Sequence, residues 1–86
     1  MDPEDFESNF NLGILYYTDT PSNKKDPLKA IHHLKIAIAE EKSATAMFNL
    51  AVIYEEQGER GKAKEMYEEV SAFIFVTVFQ IYNYIY

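Results

Sequence analysis

Two stretches of this 86-residue chain nearly repeat each other. Phe10-Asn11-Leu12-Gly13, followed by Tyr16, is answered by Phe48-Asn49-Leu50-Ala51, followed by Tyr54. Leu12 and Leu50, Gly13 and Ala51, and Tyr16 and Tyr54 each stand 38 positions apart. A second set, Ala30, Leu34 and Ala37, is matched by Ala63, Tyr67 and Val70, each 33 apart. Self-similarity at a period of ~20–50 residues is the signature of stacked supersecondary units, each leaving a hydrophobic face for its neighbour to cover. The difference between the two spacings falls between Tyr17 and Asp26, in a polar run of turn formers where extra length costs least.

The local signals place a helix in each half of each unit. Asp2-Pro3 reads as an N-cap followed by a proline whose φ is already helical, and Phe6, Phe10, Ile14 and Tyr17 recur at helical spacing, so the first helix is expected over about Pro3 to Tyr17. Residues 18–26 form a loop. Asp26-Pro27 repeats the cap-plus-proline device, and Leu28, Ile31, Leu34 and Ile38 carry the pattern to about Glu41. Ser43 caps a third helix that ends at Gly58, a residue able to take the left-handed conformation of a helix stop. "GERG" is expected to be the turn into a fourth helix opening at Lys62. The expected fold is all-α, two stacked antiparallel helix pairs over residues 3–41 and 43–71, followed by an apolar tail over 72–86 that is itself expected to be helical.

Small residues at the matched positions have a physical reason. Gly13 or Ala51, set against Ala30 or Ala63, leaves no bulk where two antiparallel helices cross, so their backbones approach while Leu and Tyr fill the flanks. Packing accounts for these positions without any further role.

The stretch "MFNLAVIYEEQGERGKAKEMYEEV", with Asn49-Leu50-Ala51, Tyr54, Gly58, Ala63 and Tyr67, resembles the tetratricopeptide repeat. Leu12-Gly13, Tyr16, Ala30 and Ala37 match in the first unit, whose "DPLKA" is similar to the opening of the second helix in the longer-looped Sel1-like repeat. The likeness covers about Phe6 to Val70. It implies an α-solenoid fragment that acts as a protein-interaction module or scaffold, with the first helix of each pair lining a concave side. The positions there not used for internal packing are Glu7, Phe10, Ile14 and Tyr17, then Thr45, Phe48, Val52 and Glu55. Phe10, Ile14, Tyr17, Phe48 and Val52 would make an apolar strip with acidic ends, Glu7 and Glu55; equally, the strip could pack on a neighbouring repeat or on the tail. Some members hold a peptide carboxylate with bases in this groove; Asn11 and Asn49 match, but neither first helix carries a base.

Catalytic chemistry has no candidate residues. His32-His33 is the only pair that suggests a metal, but helix neighbours diverge by about 100° and cannot chelate one ion. Glu40-Glu41, Glu55-Glu56 and Glu68-Glu69 likewise point apart, and the three glycines are scattered rather than gathered into a phosphate loop. No cofactor or metal is expected. Fourteen acidic against eight basic residues, a net charge of −6, argue against nucleic acid as a partner. The absence of cysteine suits a reducing, cytoplasmic compartment, and the acidic N-terminus does not read as a secretory signal or transit peptide.

Every charged residue lies between Asp2 and Glu69, leaving "VSAFIFVTVFQIYNYIY" with none. Three readings stand: a continuation of the fourth helix buried on the array, a membrane tail anchor, or an atypical terminus of a truncated chain. As a helix the run reaches ~26 Å against a ~30 Å hydrocarbon core, and it lacks flanking bases. The expectation carried forward is that it covers the open face of the second pair. Two units are fewer than the ~3 needed for independent stability, so a protein or peptide partner, or self-association, is implied.

Overall fold

The computed structural model describes residues 5–85. Among these are four helices and no strand: α1 (Phe6–Tyr16), α2 (Pro27–Glu40), α3 (Ala44–Glu56) and α4 (Arg60–Ile85). Each of the first three opens on a side chain that accepts from a backbone N–H of the first turn, satisfying a donor with no partner inside the helix. Asp5 accepts from Ser8 at 3.0 Å, Asp26 from Lys29 at 3.2 Å and Ser43 from Ala46 at 3.3 Å. The Asp26 and Ser43 caps are the expected ones. Asp5 is extended and caps α1, so the described helix starts at Phe6; the expected cap at Asp2 and first turn at Pro3 lie outside the described residues.

The helix stop after α3 follows the expected chemistry. Gly58 takes φ 81°, and its N–H and that of Glu59 donate back to the carbonyls of Glu55 and Tyr54 at 3.0 and 2.9 Å, the paired bonds of a Schellman turn. The chain recovers helical geometry at once: the Ala63 N–H donates to the Glu59 carbonyl at 3.0 Å, so α4 opens at Arg60 rather than Lys62. Arg60 and Gly61, expected in the turn, belong to its first turn.

The helices pack as two antiparallel pairs, α1 with α2 and α3 with α4, and α2 lies against α3. The direction is evident from matched ends. The Tyr16 carbonyl at the end of α1 accepts from the Asp26 N–H at 2.6 Å before α2, while Asn9, in the first turn of α1, meets His33 in the middle of α2. The former bond also closes the 18–26 loop, whose Asp19 carboxylate accepts from the Lys25 N–H at 2.6 Å. At the α1–α2 crossing, a Cβ on Gly13 would stand 2.7 Å from Leu34 Cγ and 3.4 Å from the Ala30 carbonyl oxygen, so the close approach does require a residue without a side chain. Ala30, Leu34, Ala46, Leu50, Ile53, Tyr54 and Ala63 form one buried cluster that joins the pairs. Phe6, Phe10, Tyr16, Tyr17 and Tyr67 pack against its edge.

The tail departs from expectation. It is helical and continuous with α4, but it covers no face of the array: apart from half-buried Phe73, residues 71–85 are exposed. The reason is length. Lys42, just before α3, lies with its Nζ 5.7 Å from the Phe73 ring centroid, so Phe73 is level with the start of α3 and the residues beyond it have no α3 beside them. A straight helix cannot fold back onto the array without a break, and the run from Val70 onward contains neither glycine nor proline to supply one.

Candidate functional site

The six positions expected to meet a partner do not form one strip. Ile14 and Tyr17 from the end of α1 and Val52 from α3 come together, with Thr18, Asn49 and Ile53, around a hollow of about 120 Å³ between the two first helices. Ile14 is 39% exposed and Val52 half-buried, which leaves apolar surface at the rim. Phe48 is 50% exposed and meets Tyr67 of α4 edge to face, ring centroids 5.8 Å apart. Glu55 lies one turn past Val52 and shares the wider, open cleft over α4 with Arg60, Lys64, Tyr67 and Glu68. Phe10 is half-buried, stacked on Phe6 at 5.6 Å and packed against the core, so it contributes little open surface to the strip.

Tyr17 has a second attachment that pattern reading did not anticipate. Its hydroxyl donates to Glu56 Oε2, linking the end of α1 to the end of α3, and Lys25 Nζ stands 4.5 Å from its ring centroid. Partial burial, then the carboxylate of Glu56, push the phenol up to about 12, so it is a neutral donor across the physiological range. Tyr67 is shifted the same way, by partial burial and then by Glu55. The hint available in the sequence is the repeat: 39 positions separate Tyr17 from Glu56, one more than the period of the first helices. Equivalent helix ends in neighbouring units are therefore side by side.

The histidines are placed apart from this surface. His33 Nδ1 is 2.8 Å from Asn9 Oδ1, while Asn9 Nδ2 donates to the Asp5 carbonyl at 2.9 Å. Because the amide presents its oxygen, His33 must carry its proton on Nδ1 and donate. Asn9 is 1% exposed, and His33 also stacks on Tyr16 at 5.5 Å. Burial, then the neighbouring His32 and Lys29, hold His33 below its ordinary value. His33 thus serves as an interhelix hydrogen-bond donor. Among the described residues, no group of three or more His, Cys, Asp or Glu side chains could hold a metal ion.

The geometry places apolar side chains at the mouth of a small hollow, with the Glu56 carboxylate beside Tyr17 at its edge. No protein-family model matches the chain, and searches of curated proteins and of solved structures return no match.

Proposed function

We propose that this chain is a non-catalytic protein-interaction module or scaffold piece of the tetratricopeptide or Sel1-like kind, with α1 and α3 as its contact helices. The observation that carries the reading is the convergence of Ile14, Tyr17 and Val52 from two separate helices on one hollow, with half-exposed Phe48 further along the same face of α3. Apolar rims of this kind take an apolar side chain of a partner, and Glu56, bonded to Tyr17 at the hollow, with Glu55 in the adjoining cleft over α4, favours a partner segment carrying a basic residue. The net charge of −6 speaks against nucleic acid, and a cytoplasmic setting rests on the lack of cysteine. The competing reading, a membrane tail-anchored adaptor, receives no support from α4: no helix among the described residues is long and apolar enough to cross a membrane.

The test is a displayed-peptide selection against the purified chain, followed by titration of the enriched peptides. Ile14→Asp and Val52→Asp are expected to weaken those peptides by roughly tenfold or more while the thermal midpoint moves little, since both sites keep contact with water. Failure to enrich any sequence, or binding indifferent to both substitutions, would remove this surface from consideration.

A further inference from the structure

The face of α4 that packs on α3 does not stop where α3 stops. Ala63, Tyr67 and Val70 face the core from α4. At 100° per residue the same face continues as Ile74, Val78, Ile81 and Ile85. These four are between 47% and 64% exposed. Their spacing of four, three and four residues is that of a helix-to-helix seam, and all four are β-branched. Phe75, Phe79 and Tyr82, each more than half exposed, lie next to them and widen the apolar arc, with Phe75 and Phe79 stacked at 6.3 Å. Gln80 and Asn83 lie away from the seam, on a side that also carries Val76 and Tyr84, and Thr77 flanks the seam beside Ile81. The projecting tail therefore continues a core-type face that no other helix among the described residues covers.

We propose that this face pairs with the same face of a second copy of the chain, making a homodimer through the α4 tails. Three observations select a second copy. First, the seam continues an existing helix-packing face and has the periodicity of one, so its natural complement is another helix of the same pattern. Second, residues 70–86 carry no charge whereas the chain as a whole carries −6, so the tail is the part of the surface where two copies can meet without like-charge repulsion. Third, the exposed area is of the right order: the seven residues present on the order of 900 Å² per chain, an upper bound on what pairing buries, against ~800 Å² per partner in a standard interface.

The arrangement is antiparallel and two-fold. Such a pairing sets Ile74 opposite Ile85 of the copy and Val78 opposite Ile81, so every seam residue meets a seam residue, as an isologous contact requires. It also holds the two acidic helix-pair bodies at opposite ends, where parallel pairing would bring them side by side. This surface is separate from the α1–α3 hollow, so the proposal stands or falls independently of the function proposed above.

Sedimentation equilibrium of the full chain over a range of concentrations tests it. The expected result is a monomer–dimer equilibrium, with Val78→Asp or Ile81→Lys raising the dissociation constant roughly 100-fold or more at unchanged helix content. Gln80→Lys, on the side away from the seam, should leave the dimer intact. For orientation, mixing Val78→Cys with Ile81→Cys chains, in a protein otherwise without cysteine, should give mainly the mixed disulfide. A chain that stays monomeric at every concentration overturns the proposal, as does equal disruption by Gln80→Lys. So does a monomer that instead partitions onto neutral phosphatidylcholine vesicles, which would give the face to lipid. Predominant Val78→Cys self-pairing overturns the antiparallel arrangement.

Discussion

At the scale of single residues, the most consequential group is the buried Asn9 amide, because its bonds to the Asp5 carbonyl and to His33 join the start of α1 to the middle of α2. Asn9→Ala is expected to cost ~1–3 kcal/mol, the usual penalty for leaving a largely buried donor such as His33 Nδ1 without its acceptor; denaturant titration measures it. His33 adds a pH dependence. Its folded-state value lies below the ordinary 6.5, so the unfolded chain takes up the proton first. The stability it confers is present above pH 6.5 and declines as pH falls through that value toward the folded one. Melting midpoints between pH 7.5 and about 5 should fall with acidification, and His33→Gln, which can still donate to Asn9, should flatten that slope. Gly13 is the other sensitive position. Gly13→Ala gains up to ~1 kcal/mol of helix propensity, but its methyl would stand 2.7 Å from Cγ of fully buried Leu34, and overpacking of this kind costs ~1–3 kcal/mol. A net loss of ~1 kcal/mol is expected.

At the scale of elements, α3 is the most enclosed helix, burying Ala46, Met47, Leu50, Ala51, Ile53 and Tyr54. It lies between α2 and α4, so small residues are needed on more than one side. Ala51 is fully buried and Ala63 of α4 is 2% exposed. Ala51→Leu and Ala63→Leu should each destabilise by ~1–3 kcal/mol. Equal denaturation midpoints for both variants and the parent would contradict the close packing described here. Helix α4 has the opposite character: over its first eleven residues one face is inside, and over the last fifteen the same face is outside.

At the scale of the whole molecule, the projecting half of α4 dominates shape. The radius of gyration is 14.5 Å, against ~12 Å for a compact chain of this length, and the long dimension is 52 Å. Because the exposed residues of that half cover no other helix among the described residues, removal should leave the two helix pairs folded. A chain ending at Phe73 is expected to melt, at low micromolar concentration, within a few degrees of the parent. The concentration dependence of the parent's melting midpoint should disappear. A large loss of helicity per residue in the shortened chain would mean that the tail does support the pairs, as sequence reasoning supposes.

The sequence by itself determined where the helices lie and where they break. Asp26, Ser43 and Gly58 act through atoms within a few residues of themselves, and the apolar period of 3.6 is a local property. The matched small residues also showed that the helices must come in closely packed pairs, since Gly13 serves no purpose without a neighbour at its Cα. Tertiary structure alone decided what each apolar face touches. Periodicity marks a face as apolar but does not say whether a helix stands opposite, which is why the tail could be read as buried although α3 ends short of it. The same limit holds for the Tyr17–Glu56 link and the Asn9–His33 bond. Each joins residues on different helices through the angle and offset at which those helices cross, and that geometry is set by the volumes of all the side chains between them rather than by any one stretch of sequence.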